Sequence, residues 1–227
     1  MILWFASGNI HKKKELAAII SQAAPGAALE VKTPGEAGLD FEPEETGATF
    51  LENALLKANG LYRLLEDKRP WGYISGDPVI ADDSGLCVDA LFGRPGIYSA
   101  RYGGHMSGGQ MSGGPTSGGQ ISCENLSDTQ KNDLLLGELG DNPLRSARFV
   151  CAMVLYYGPS RFFAAQETME GELVKEAKAG GNGFGYDPIL FLPNLGLTVA
   201  DLPMEEKNRL SHRGKAARAL MKFLIGT

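Results

Sequence analysis

The first 20 residues constrain the fold most, because a short apolar run passes through a glycine turn directly into a helical pattern. Residues 2–6 (ILWFA) are typical of a short buried strand. Leu16, Ile19 and Ile20 have i, i+3, i+4 spacing, which predicts the inner face of a helix beginning near His11. The chain therefore opens with a strand, a tight turn and a helix.

Similar patterns continue along the chain and define the fold class. In order, we predict a helix capped at Thr49 and running through about Leu65, a buried strand at 78–82, strands at 148–157, 161–168 and 171–175, and a last helix capped by Ser211. Helices and strands alternate early and strands cluster later. This order predicts an α/β protein with a long, mixed, twisted β-sheet flanked by helices.

Size and composition narrow the class of protein. The 227 residues, 43% of them hydrophobic, are enough for one domain spanning 1–227. A net charge of -5 argues against a surface built to bind nucleic acid or an anionic membrane, and no apolar run reaches the roughly 20 residues of a membrane span. Cys87, Cys123 and Cys151 form no CxxC pair and no signal peptide is evident, so we expect a reducing, cytoplasmic location.

One stretch, Gly103 to Ser122, differs from the rest because it repeats Ser-Gly-Gly three times. Its few apolar side chains cannot offset the entropy lost on ordering, so we predict a flexible insertion. An alternative is a soft-metal site made by His105, Met106 and Met111.

The turn after the first strand is a candidate phosphate site. Free N–H groups at a helix start attract anions, and a lysine in the first turn adds charge. The same pattern also fits an ordinary Gly-Asn turn, and it lacks the spacing of a Walker A loop. The residues concerned are Ser7, Gly8, Asn9, Ile10, His11 and Lys12.

Carboxylates indicate a metal site. Magnesium prefers oxygen ligands and usually takes one or two carboxylates together with phosphates and water. Asp82 and Asp83 follow the apolar residues of the strand at 78–82, and side-chain alternation should point them to opposite faces. Glu44 and Glu45 could contribute or could belong to a solvated acidic loop.

Three further groups could contact a nucleotide. Lys57 lies one helical turn after Asn53 and could reach a phosphate, or be a solvated lysine. The loop Phe184-Gly185-Tyr186-Asp187 could stack on a base, or be an aromatic-anchored turn. The third group, Lys207, His212 and Arg213, puts positive charge near a helix start, where the helix dipole disfavours it. An anionic or carbonyl ligand would relieve this conflict, and donors there suit a 6-oxo purine better than adenine.

Together these segments resemble the inosine/xanthosine triphosphate pyrophosphatase family. The matching blocks occur in the order that the family shows and are ASGNIHKKKEL at 6–16, EETGATFLENALLKA at 44–58, IADDSGLCVDALFGRPGIYSARYGG at 80–104, GNGFGYDPILFLP at 181–193 and EEKNRLSHRGKA at 205–216. The resemblance implies two lobes with the active-site cleft between them, a homodimer and a Mg²⁺ cofactor.

The resemblance also implies roles for individual residues. The segment Ser7 to Lys12 would hold the triphosphate, Asp83 would be the catalytic acid or base and a metal ligand, Glu44 would help to place Mg²⁺, and Ser84 would contact substrate. The residues at the base and sugar end would be Phe184, Gly185, Tyr186, Asp187, Lys207, His212 and Arg213.

The sequence thus predicts an enzyme that hydrolyses ITP, dITP and XTP to the monophosphate and pyrophosphate, cleansing the nucleotide pool. A pyrophosphatase acting on modified pyrimidine triphosphates is the closest alternative. A nucleotide sensor would not require Glu44 and Asp83, and a nucleic-acid-binding module conflicts with the acidic net charge.

Overall fold

The structure is a computed structural model that describes residues 1–103, 126–177 and 183–226. The predicted insertion lies, from residue 104 onward, outside the described residues, and so does the alternative metal site there. The chain forms two compact units, each made of separate segments. The first contains Met1–Ser84, Phe149–Met169 and Pro203–Thr227, and the second contains Gly85–Arg148 and Glu170–Leu202.

The described strands form a seven-stranded sheet in the order β2-β1-β3-β4-β5-β6-β7. Strand β1 is parallel to β2 and β3, whereas β6 is antiparallel to β5 and β7. The predicted mixed sheet is therefore confirmed. The strands are β1 (Ile2–Phe5), β2 (Glu30–Lys32), β3 (Val79–Val88), β4 (Ser146–Tyr156), β5 (Phe162–Leu173), β6 (Leu190–Leu192) and β7 (Leu197–Thr198).

The α-helices are α1 (Ile10–Ala23), α2 (Phe50–Lys68), α3 (Asp128–Leu139), α4 (Met204–Leu210) and α5 (His212–Ile225). Short 3-10 helices lie at Gly35–Ala37, Asp89–Leu91, Gly96–Arg101 and Val199–Asp201. The predicted capping box of α2 is present, and Ser211 caps α5 as predicted. No helix among the described residues has both the length and the apolar character needed to cross a membrane.

Two strand boundaries differ from the prediction. Strand β3 does not end at Asp82 but continues to Val88, because both of its acids find cationic partners and can stay inside the sheet. The separate strand at 171–175 is wrong, since β5 runs unbroken to Leu173. Gly171 lies within β5 where a Cβ would come within 2.4 Å of the Phe191 carbonyl oxygen, so the glycine permits close pairing with β6.

The core of the first unit consists of two apolar clusters that divide the side chains of β1 by strand alternation. Leu3 and Phe5 pack in one cluster with residues of α1 and α5. Trp4 packs in the other with residues of α2. Strand β3 follows the same rule, because Ile80 belongs to the first cluster and Ala81 to the second. The two faces of β3 therefore meet different helices.

Candidate active site

Asp82 and Asp83 continue this alternation and point to opposite faces of β3, as predicted. Asp82 follows Ile80 toward α1 and α5, and Asp83 follows Ala81 toward α2. Both side chains are buried, at 1% and 6% exposure. Because a buried charge must be paired, the partners of each acid define its chemical role.

Helix α2 supplies the partners of Asp83. Lys57 Nζ donates to Asp83 Oδ1 at 2.9 Å, and Asn53 Nδ2 donates to Oδ2 at 3.2 Å. Lys57 also donates to Glu45 Oε1 at 3.0 Å, so two carboxylates share one ammonium. Asn53 is itself held by the Gly47 N–H, which donates to its Oδ1 at 2.8 Å. The Asp83 carboxylate is thus rigidly oriented.

Burial and charge act against each other at this face. Burial raises the pKa of Asp83 above its ordinary value, against the opposing attraction of Lys57. For Lys57, burial favours the neutral form, but the nearby carboxylates outweigh it and raise the pKa of the ammonium. Lys57 therefore stays charged. Asp83 has a pKa displaced toward neutral pH, which is the direction that suits a general base.

The face carrying Asp82 contains a longer series of ion pairs. Lys12 Nζ donates to Asp82 Oδ1 at 3.1 Å, and Arg213 Nε donates to Asp82 Oδ2 at 3.2 Å. Arg213 continues to Glu15, which also pairs with Lys207 Nζ at 2.8 Å. We call these five residues the Asp82 network. It contains three cations and two carboxylates, whereas on the other face the two carboxylates of Asp83 and Glu45 pair with Lys57.

The Asp82 network explains why its acid stays ionised. Burial alone would raise the pKa of Asp82, but Lys12 and Arg213 hold it well below its usual range. A carboxylate with a depressed pKa is a weaker general base than one with a raised pKa. Asp82 is therefore a fixed counter-ion.

The turn between β1 and α1 is capped by its own side chains. Asn9 Oδ1 accepts from the N–H groups of His11 and Lys12 at 2.9 and 3.2 Å, and Ser7 Oγ accepts from the Asn9 N–H at 3.2 Å. A Cβ added at Gly8 would meet nothing within 4 Å in the described part of the chain. The turn thus leaves space above Gly8 for a ligand.

Comparison with known proteins decides the family. The Ham1 family model matches residues 3–223. A dITP/XTP pyrophosphatase of Treponema denticola is 41% identical over 227 residues, which span 100% of both chains. One from Salmonella typhimurium is 40% identical over 223 residues, or 96% of this chain and 95% of the relative. The solved Staphylococcus aureus Ham1 protein has a TM-score of 0.76 and 36% identity, covering 100% of this chain and 99% of that one.

The chain belongs to the Ham1 family. Within this Ham1 chain, the structure brings several predicted site residues together. Lys12, Ser84 and Arg213 gather around Asp82, and Arg213 NH2 donates to Ser84 Oγ at 3.0 Å. Lys57 and Asp83 meet on the other face.

The acidic loop before α2 differs from the expectation. Glu44, the predicted magnesium ligand, is exposed, whereas its neighbour Glu45 is half-buried and reaches Lys57. The metal assignment of Glu44 stays a prediction. Local sequence could not separate the two glutamates, because they stand side by side in the same loop.

The start of α5 corrects one argument from the sequence. Positive charge there does not require a ligand, because Glu15 and Asp82 neutralise Arg213. His212 is buried and stacks on Phe149 with ring centroids 4.9 Å apart. Burial, followed by the repulsion of Arg213 and Lys207, lowers the pKa of His212 well below its usual value, so the imidazole is neutral.

The loop Phe184 to Asp187 lies in the second unit and is anchored on several sides. Gly185 donates its N–H to Asp128 Oδ2 at 2.6 Å, and its carbonyl accepts from Asn132 Nδ2 at 3.1 Å. Tyr186 donates its hydroxyl to the Ser99 carbonyl at 2.9 Å, and the Phe184 N–H donates to Asp187 Oδ2 at 3.0 Å. These contacts fit an aromatic-anchored turn, and a base-stacking role for the loop stays a prediction.

Sequence analysis missed Glu15 and helix α3, which supplies Asp128 and Asn132. The signal for α3 was a capping box, Ser127 with Gln130, which the structure shows. The signal for Glu15 was a charged residue directly beside Leu16 on the apolar face of α1.

Proposed function

We propose that this chain hydrolyses the non-standard purine triphosphates ITP, dITP and XTP to the nucleoside monophosphate and pyrophosphate. The observation that supports this function best is the division of charge across β3. Asp83, which shares Lys57 with Glu45, is suited to a metal ion, and Lys12 beside Asp82 is suited to phosphates. Lys12 also attracts the charge of Asp83, so both groups can act on one ligand. The relatives named dITP/XTP pyrophosphatase support the substrate class.

We propose that Mg²⁺ binds on the Asp83 face. Asp83 and Glu45 already converge on one ammonium, so this part of the protein stabilises a cation. We propose that Asp83 and Glu44 hold the ion, with phosphate and water as further ligands. When bound, Mg²⁺ lowers the pKa of a ligating water and neutralises charge on the phosphates.

The side chains of this protein supply positioning and proton transfer. Asp83 orients the attacking water and accepts its proton as the oxygen adds to the α-phosphorus. Asn53 and Lys57 hold the carboxylate in place during this step. Lys12 and Lys57 stabilise the negative charge that develops on the departing pyrophosphate. The turn from Ser7 to Lys12, with its open space above Gly8, holds the triphosphate.

Recognition of the purine base depends on hydrogen-bond donors. His212 Nδ1 is buried and has no hydrogen-bond partner among the described residues. A neutral imidazole that carries its proton on Nδ1 donates to a 6-oxo group but not to the 6-amino group of adenine. Arg213 and Lys207 add further donors to the base end.

The deciding experiment is a hydrolysis panel of about eight nucleotides with Mg²⁺, in which the released phosphate species is identified. ITP and XTP should be hydrolysed at least about 100-fold faster than ATP, because a site built for one hydrogen-bond pattern rejects its opposite strongly. The phosphorus product should be pyrophosphate. Equal rates with ITP and ATP, faster hydrolysis of modified pyrimidine triphosphates, release of orthophosphate, or binding without turnover would each contradict the proposal.

We also propose that the protein works in the cytoplasm as a homodimer. The first part rests on the spacing of its cysteines and the second on the family resemblance. Analytical ultracentrifugation should give about twice the chain mass of 24.3 kDa. A single species at the chain mass would contradict the dimer.

A further inference from the structure

Glu15 is a buried carboxylate that the proposed reaction does not use. It lies on α1 beside Leu16 and is 4% exposed. A buried ion pair is weak support for stability, because apolar residues of similar volume often stabilise a protein equally well. The presence of a charge at this position therefore requires another reason.

The contacts of Glu15 provide that reason. Its Oε2 accepts from Arg213 NH1, and its Oε1 pairs with Lys207 Nζ at 2.8 Å. Arg213 makes two further bonds, from Nε to Asp82 and from NH2 to Ser84. All three guanidinium nitrogens of Arg213 are thus directed by acceptors on α1 and β3, which fixes the plane of the group.

Glu15 also holds together two cations that repel each other. Lys207 and Arg213 belong to α4 and α5, which join at Ser211. The junction is tight, because a Cβ at Gly214 would lie 1.8 Å from the Asn208 carbonyl oxygen. The backbone therefore brings the two positive side chains close, and the Glu15 carboxylate forms an ion pair with each of them.

We propose that Glu15 is a positioning residue that sets the selectivity of the enzyme for the base by orienting Arg213 and Lys207. This inference rests on the proposed function, in which those two residues contact the nucleoside end. Glu15 has no part in holding the phosphates. Removing its negative charge leaves less negative charge near Lys12 and Arg213, so binding of pyrophosphate should not weaken.

The test compares Glu15→Gln with wild type and with Glu36→Gln. Glu36 is a matched control, because it pairs with Lys13 of the same helix but is exposed. Glu15→Gln should raise KM for ITP by about 10-fold or more, leave kcat within about threefold, and reduce the ITP-to-ATP ratio of kcat/KM by about 10-fold. Calorimetry should show pyrophosphate affinity unchanged or higher. Glu36→Gln should change each quantity by less than about twofold.

If Glu15 had only a structural role, Glu15→Gln would weaken the binding of all ligands alike. Equal loss of ITP and pyrophosphate binding, or an unchanged KM and selectivity for ITP, overturns the proposal. If Glu15→Gln does not fold, Glu15→Asp tests the proposal instead. This variant keeps the negative charge, but its side chain is one methylene shorter, so the carboxylate lies farther from Arg213 and Lys207. It should raise KM for ITP by about threefold or more with kcat retained, and an unchanged KM overturns the proposal. A wild-type enzyme without preference for ITP would instead refute the proposed function.

Discussion

Asp82 and Asp83 are adjacent, chemically identical and both buried, yet the two faces of β3 treat them in opposite ways. On the α1 and α5 face, Lys12 and Arg213 hold the pKa of Asp82 well below its usual range. On the α2 face, burial raises the pKa of Asp83 although Lys57 attracts its negative charge. The direction of each shift is decided by the number of cations near the carboxylate, since burial acts the same way on both.

The two environments suit Asp82 to a structural role and suit Asp83 to the chemical role that we propose for it. Asp82 is tied to two cations and serves as a fixed counter-ion within the Asp82 network. Asp83 shares Lys57 with Glu45, and in the proposed reaction its carboxylate holds the metal ion. Strand alternation alone separates the two environments.

The largest effect should come from Asp83→Asn. The amide keeps the size of the side chain but removes the charge needed for metal binding and water activation. We expect kcat for ITP to fall at least about 100-fold while circular dichroism shows a folded protein. Near-normal turnover in this variant would assign the chemistry to another carboxylate.

Asp82→Asn should chiefly reduce stability. Asp82 points to the opposite face of β3 from Asp83, as the alternation predicted. Because Asp82 forms ion pairs, Asp82→Asn is not a control without effect on the protein. Removing one partner from a buried ion pair typically destabilises by about 3 kcal/mol, and Glu15 remains to compensate part of the charge of Arg213. Urea unfolding should show this loss, whereas kcat of the folded variant should fall far less than in Asp83→Asn. A loss of unfolding free energy below about 0.5 kcal/mol would contradict the role of Asp82 as a structural counter-ion.

The contribution of Asp82 to stability should depend on pH in a defined direction. Because its folded pKa is depressed, the stabilisation is fully present above the unfolded pKa of about 3.9 and is lost as pH falls below that value. The difference in unfolding free energy between wild type and Asp82→Asn should therefore be constant from about pH 7 to 5 and shrink below about pH 4. If the difference in unfolding free energy grew as the pH fell, it would contradict a depressed pKa of Asp82.

The smallest effect should come from shortening the Gly/Ser-rich stretch from Gly103 to Ser122. Loop-closure entropy changes slowly with length, so ITP hydrolysis should stay within about threefold of wild type. Replacement by a short Gly-Ser linker and a kinetic assay test this. Loss of activity would show that the site extends beyond the residues around Asp82 and Asp83.

Local patterns in the sequence predicted the elements that depend on local interactions. The opening strand and helix, the capping box of α2 and the cap of α5 were all correct. Strand β3 was cut short because a pair of acids normally ends a buried strand, and its cationic partners lie far away in sequence. Helix α3 was missed because Asp128–Leu139 presents a weak apolar pattern.

For the candidate site, as for the fold, the sequence predicted the features that depend on local patterns. Asp83 and Lys57 were singled out from a predicted strand ending and a helical spacing, which are local features. The structure brings the two side chains together, and their roles in the reaction stay predictions. The pairing of Glu15 with Arg213 joins residues 198 positions apart, so no local spacing could indicate it. The choice of Glu44 over Glu45 likewise depended on how the loop folds.

The most direct test of the division between the two faces is binding of Mn²⁺, as a probe for Mg²⁺, measured by electron paramagnetic resonance. Wild type, Asp83→Asn and Asp82→Asn would be titrated at neutral pH under conditions in which all three are folded. Loss of a carboxylate ligand should weaken Mn²⁺ binding at least about 10-fold in Asp83→Asn and less than about threefold in Asp82→Asn. Equal loss in both variants, or loss in Asp82→Asn alone, would contradict the account.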